Sequence, residues 1–245
     1  MNPQKLPEFK NIWQQSLNWQ PDQKQQEIWD NLYREIILAN QQINLTRITK
    51  PRDFWEKHLW DSLAGILNVK IINLDQSLKI IDIGTGAGFP WIPIAIITPN
   101  CQLTLLDSTR KKINFLKILI EELNLKNCST LIDRAEQIGQ NKDHREAYDL
   151  AVIRAVGEAS VCAEYALPLL KIGGIVVLYR GHWQQEEELK LKLALQKLGG
   201  KIILVKKLET PLTQSIRHFI YLQKIVKTST QFPRPVGIPH QNPLC

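Results

Sequence analysis

The stretch Lys79-Ile80-Ile81-Asp82-Ile83-Gly84-Thr85-Gly86-Ala87-Gly88-Phe89-Pro90 constrains this chain more than any other. A β-branched run ends in three alternating glycines, and a helix-like segment follows. This is how an open α/β sheet begins a nucleotide-type pocket: the strand delivers the turn, and the glycines expose bare backbone to a ligand. A dinucleotide turn reads G-x-G-x-x-G. Here Gly84, Gly86 and Gly88 read G-x-G-x-G, and Phe89 stands where the third dinucleotide glycine belongs. A ring followed by a proline spoils the close approach of a pyrophosphate. A phosphate-free ligand fits better, and S-adenosylmethionine is the candidate. A purely structural turn is the plainer alternative.

A second feature supports the pocket. Gln102–Asp107 reads as the next strand and ends in a carboxylate, 23 residues after Gly84. In a βαβ unit that acid lies beside the glycine turn and can accept both hydroxyl protons of a ribose. It can also cap the following helix, as can Ser108 and Thr109.

Beyond residue 78 strands and helices alternate. Strands are expected at 78–83, 102–107, 128–132, 148–153, 174–179, 201–207 and 217–224, with helices at 91–98, 109–124, 158–170 and 183–198. Gly173-Gly174 reads as a helix stop. This rhythm predicts a mostly parallel, doubly wound sheet. The last two strands, joined through Pro211, predict an antiparallel edge hairpin. Residues 8–74 carry helical spacing instead, for example Ile28, Leu32, Tyr33, Ile36 and Ile37. Pro51 and Asp53 open a further helix through Ile66. The expected division is a helical extension over 1–74, an α/β domain over 75–227 and a basic proline-rich tail over 228–245. Four prolines between 232 and 244 predict an extended tail path.

The N-terminal 15 residues are polar, no apolar run is long enough for a membrane span, and the four cysteines lack metal spacing. The expectation is a cytoplasmic, metal-free monomer with reduced thiols. The net charge is +7, and residues 201–245 hold seven Lys or Arg against one acid. A localised basic excess suggests a polyanion partner, although solubility charge explains it as well.

The segment after the fourth strand bears on chemistry. Tyr148–Val156 has no amine-holding Asn/Asp-Pro-Pro motif, no cysteine nucleophile and no evident base. It has Arg154, which is never a base at neutral pH. An acceptor carrying its own lone pair, such as guanine N7, suits it. Arg154 can equally bind a cofactor carboxylate or form a structural ion pair. Arg134-Ala135-Glu136 stands where residues flank an adenine ring. Lys111 and Lys112 read as a solvated pair. His58 and Asp61 share one helix face, too few for a metal site. A non-catalytic RNA-binding assembly factor and a small-molecule methyltransferase stay open at this point.

The ordered set Asn44-Leu45-Thr46-Arg47-Ile48, His58–Leu63, Asp82–Pro90, Leu105–Ser108, Arg134–Glu136 and Arg154-Ala155 resembles the RsmG (GidB) family of bacterial small-subunit ribosomal RNA guanine-N7 methyltransferases. The resemblance runs from about residue 28 onward. It implies a Rossmann-like class I S-adenosylmethionine-dependent fold, with a seven-stranded sheet and an N-terminal helical extension. It implies a guanine of the helix-18 loop (guanine 527) in 16S ribosomal RNA, free or in the small-subunit particle, as acceptor. Carried onto this sequence, the cofactor pocket would comprise Gly84, Gly86, Phe89, Asp107, Ser108, Thr109, Ala135, Glu136 and Arg154, with Arg154 also catalytic. Asn44, His58, Asp61, Arg134, Arg217 and Arg234 are expected toward RNA.

Overall fold

The computed structural model describes residues 5–67 and 69–245. Residues 1–4 and 68 of the expected extension lie outside it. Seven strands form one sheet in the order β3-β2-β1-β4-β5-β7-β6. They are β1 Lys79–Ile83, β2 Gln102–Asp107, β3 Cys128–Ile132, β4 Tyr148–Arg154, β5 Leu170–Arg180, β6 Gly200–Glu209 and β7 Ile216–Lys224. The first five are parallel, and β7 runs antiparallel between β5 and β6. The predicted hairpin is therefore present, with β6 at the edge.

Alternation along the strands gives each face its own core. On one face Ile80, Leu103, Leu105, Leu150, Val152 and Val177 pack with the N-terminal helices α1 Lys10–Leu17 and α2 Gln23–Ala39, and with α5 Trp91–Ile97 and α6 Arg110–Glu122. On the other, Ile81, Ile83, Leu106, Ala151, Ile153 and Leu178 meet α8 Ala159–Ala166 and α9 Gln185–Leu198. The N-terminal tryptophans serve packing: Trp13, Trp29, Trp55 and Trp60 are buried. A capping box starts α2, where Asp22 and Gln25 bond each other's backbone N–H.

The helix opened by Pro51 runs as α3 Pro51–Phe54, a π-helical stretch Trp55–Trp60 and α4 Asp61–Leu67. It crosses the sheet closely: a Cβ on Gly65 would lie 2.5 Å from the Tyr179 hydroxyl.

Two expectations are corrected. Gly173-Gly174 does not stop a helix. The helical path ends at Leu169, and β5 has already begun at Leu170. The tail is not wholly extended, since Ile238–Gln241 form α10. Pro239 lies in that helix's first turn, where its missing N–H costs nothing. A short helix, α7 Ala135–Gln140, follows β3 and carries Glu136 in its first turn.

Candidate functional site

The carboxyl ends of β1 and β2 form one corner. Gly84, Gly86 and Gly88 all have positive φ, a region that side-chain-bearing residues avoid. The Gly84 and Thr85 N–H groups donate to the Leu106 carbonyl at 2.8 and 3.0 Å, tying the turn to β2. Asp107 closes the corner. Its Oδ2 accepts from Gly86 N–H at 3.0 Å and its Oδ1 from Thr109 N–H at 2.8 Å. Asp107 thus holds the glycine turn and the Thr109 N–H just before α6, and it also lines a cleft.

That cleft has a volume of about 460 Å³. Its lining includes Gly84, Asp107, Ser108 and Thr109 from the first two corners and Asp133 to Glu136 from the β3–α7 junction. Val156 forms the floor near Gly84, where a Cβ would come within 2.5 Å of the Val156 side chain. Lys112, expected only as surface, lines the cleft with its Nζ 4.0 Å from Asp107. Tyr165, Gly237, His240 and Gln241 complete the wall. None of these four was singled out by sequence as a pocket residue.

Beyond β1, a second cluster surrounds Arg154 at the end of β4. Its Nη1 donates to the Lys57 carbonyl at 3.0 Å and to Asp61 Oδ2 at 3.1 Å. Its Nη2 lies 3.2 Å from His58 Nδ1, and the guanidinium sits 5.6 Å from the centre of the Phe89 ring. His58 stacks on Phe89 at 4.2 Å and 7°. Arg217 Nε donates to the other Asp61 oxygen at 3.2 Å. The π-helical stretch contains His58 and ends just before Asp61, and both side chains meet one guanidinium.

Burial pushes the His58 imidazole well below its ordinary range, with Arg154 and then Lys57 adding to the fall. The ring is therefore neutral near pH 7. Since arginine only donates, His58 Nδ1 accepts from it, and Nε2–H donates to Thr46 Oγ1 at 2.9 Å. Thr46 belongs to the Asn44–Ile48 loop. Asn40 shapes that loop: its Oδ1 accepts from Leu45 and Thr46 N–H, and its Nδ2 donates to the Thr46 carbonyl. Asn44 and Arg47 are exposed on it.

Asp82 is enclosed between the cleft and this cluster. Neither carboxylate oxygen has a hydrogen-bond partner among the described residues. Burial pushes its carboxyl up to about 7, with Thr85 and Arg154 pulling down and Asp107 pushing further up.

Several residues expected to meet ligands are already engaged by other parts of the chain. Glu136 is buried and accepts from Tyr165 Oη at 3.3 Å and Gly237 N–H at 3.0 Å. Arg234, expected at RNA, is committed to the fully buried Glu164, with Nη2 donating at 2.7 Å and Nε at 2.9 Å. Lys224 is likewise buried against Glu146 and the Leu170 carbonyl. With Arg217 on Asp61, three of the seven C-terminal cations serve the interior, which weakens the case for a basic tail arm. Arg134 is exposed at the cleft rim. Among the described residues no helix is long and apolar enough to cross a membrane.

Comparison with known proteins agrees with this architecture. A family model described as GidB, rRNA small subunit methyltransferase G, matches residues 25–220. Proteins named "Ribosomal RNA small subunit methyltransferase G" from Trichormus variabilis and Nostoc punctiforme are 56% and 57% identical, each alignment covering 98% of both chains. Among solved structures, a precorrin-6y C5,15-methyltransferase from Geobacter metallireducens shares the fold at TM-score 0.50 and 17% identity, over 72% of this chain and 90% of that one. With four-fifths of its length matched by one model and near-complete alignment to these relatives, the chain belongs to the rRNA small subunit methyltransferase G (GidB) family.

Proposed function

We propose that this chain transfers a methyl group from S-adenosylmethionine to N7 of a guanine in 16S ribosomal RNA. The family is one of small-subunit ribosomal RNA methyltransferases, and the chain is an enzyme of that class. The choice of atom, and the residue roles below, are our reading. The observation that carries it is Asp107 on the cleft wall, beside a glycine turn with bare backbone.

The residues at the cleft fit the cofactor. A carboxylate has about four lone-pair sites. Two on Asp107 are taken by backbone N–H groups, which leaves acceptors for two sugar hydroxyls. The volume suits a nucleoside-sized ligand. Asp107 would hold the ribose, the Gly84–Gly86 backbone the central atoms, and Ser108, Thr109 and Ala135 the cleft walls. When bound, S-adenosylmethionine supplies an electrophilic methyl group on its sulfonium.

The Arg154 cluster selects the acceptor. Arg154 is always charged, the His58 Nδ1 lone pair is engaged by it, and Asp61 is shared by two arginines. None of these groups is free to remove a proton. Guanine N7 needs no deprotonation, because its lone pair is already available. Three of the five Arg154 N–H donors are engaged. The remainder suit guanine O6 or the cofactor carboxylate. Catalysis then consists mainly of alignment.

The activity is tested with methyl-labelled S-adenosylmethionine and either protein-free 16S RNA or small-subunit particles. The expected result is label in the RNA, located at N7 by borohydride and aniline scission. Label in neither substrate, or at another atom, rejects the proposal. Asp107→Ala is expected to weaken S-adenosylhomocysteine binding by about 1–3 kcal/mol, roughly 5- to 150-fold, the range for a hydrogen bond to a charged group. Calorimetry giving an unchanged affinity would remove Asp107 from the sugar.

A further inference from the structure

Between residues 228 and 245 the only Lys or Arg is Arg234, which is paired with the buried Glu164, and the last turn of this tail lies on the cleft. We infer that residues 237–241 form the nucleobase wall of that cleft, with His240 and Gln241 contacting the adenine. This rests on the cofactor reading above.

Sheet order gives the direction. The strands run β3-β2-β1-β4, with Asp107 at the end of β2 and Arg154 at the end of β4. A nucleoside whose sugar is held at β2 and whose reactive end points toward Arg154 must extend its base the other way, over β3. There the cleft is lined by Asp133 to Glu136 from one side and by Gly237, His240 and Gln241 from the other.

The wall is built, not draped. The Glu164 carboxylate accepts from Arg234 Nε and Nη2 and also from the Arg234 N–H at 2.8 Å. Glu136 accepts from Gly237 N–H at the cleft edge itself. Gln140 Nε2 donates to the Thr230 and Pro233 carbonyls, and Arg145 reaches the carbonyls of Thr228, Ser229 and Phe232. Pro233 packs so closely on α7 that a Cβ on Gly139 would lie 2.4 Å from it. Phe232 and Leu244 are buried in the core of that sheet face. Two buried acids, Glu136 and Glu164, thus fix the path of the chain before and at the cleft.

His240 and Gln241 are exposed and complete no part of that anchoring with their side chains. Gln241 carries both a donor and an acceptor, the pair needed to read the amino edge of adenine, and His240 offers a flat ring face. A wall held in place before binding loses little entropy on closing against the base. The tail then belongs to cofactor recognition, whatever it also does toward RNA.

The test is calorimetry on the full chain with S-adenosylhomocysteine and S-inosylhomocysteine, whose 6-oxo group reverses the hydrogen-bonding pattern of the base edge. The intact chain should prefer the adenosyl compound. The double variant His240→Ala, Gln241→Ala should bind it about three- to thirtyfold more weakly, in line with one or two lost hydrogen bonds, and its preference over the inosyl compound should shrink. A thermal melt checks that the fold is kept. Gln241→Ala alone carries the same test should the double variant melt early. Unchanged affinity and preference in the variants, with the intact chain binding, would overturn the inference and leave the cofactor reading standing. No binding by the intact chain would overturn both.

Discussion

Asp82→Asn is expected to make the chain more stable above pH 7 and to lose that advantage by about pH 4. Asp82 is 1% exposed at the end of β1, and its carboxylate oxygens lack hydrogen-bond partners among the described residues. Burial raises its carboxyl from 3.8 to about 7. A raised acid binds its proton more tightly folded than unfolded. Its contribution to stability is complete below the unfolded value and declines as pH rises through the folded one. Between about pH 4 and 7 the parent chain therefore loses stability that an uncharged residue keeps. A tenfold change in proton affinity corresponds to about 1.4 kcal/mol, so the upper bound is about 4 kcal/mol. The asparagine amide also wants partners, so a gain of about 2 kcal/mol at pH 8 is the expectation. Urea unfolding of both proteins at pH 4.5, 6 and 8 measures it. A stability difference that does not change with pH would contradict the burial account of Asp82.

The second large effect concerns Glu164. It is fully buried in α8 and holds Arg234, whose side chain is 19% exposed. Removing one member of such a pair leaves the other without its partner and typically costs about 3–5 kcal/mol. Arg234 can turn partly to solvent, so Glu164→Ala is expected to cost about 2–4 kcal/mol. The Glu164→Leu, Arg234→Met double variant should recover part of the loss, because an apolar pair needs no desolvation of charge. Chemical unfolding of the two variants and the parent decides the matter. A loss below about 0.5 kcal/mol for Glu164→Ala would mean that the tail is not anchored there.

Local pattern made the sheet readable. The strands announce themselves by short runs rich in apolar residues, and the glycine turn with Asp107 needs only its own neighbours to be recognised. The strand limits from 102–107 and 128–132 match the structure, because apolar runs and flanking polar residues coincide there. Gly173-Gly174 misled because glycines stop helices and also sit within strands; a positive φ at Gly173 inside β5 is a matter of register with Tyr148. Lys112 read as surface because nothing local reveals that the first turn of α6 faces a cleft.

The tail was illegible for a different reason. Its conformation is set by Glu164 and Glu136, residues 70 and 101 positions away from their partners. One signal was present. Glu164 is the sole charged residue in the otherwise apolar or small Ala159–Ala166 segment, and a buried acid demands a cation from elsewhere. The His58–Asp61–Arg154–Arg217 cluster was half visible. Helical spacing put His58 and Asp61 on one face, but only the fold brings β4 and β7 to them. In the fold these side chains bond one another beside the Phe89 ring.

A crystal structure of the chain with S-adenosylhomocysteine tests the central claim most directly. The account predicts both ribose hydroxyls on the Asp107 carboxylate, the base over the end of β3 against residues 237–241, and the sulfur directed toward Arg154. A ligand seated elsewhere, or an opposite orientation with the base at β4, would contradict it.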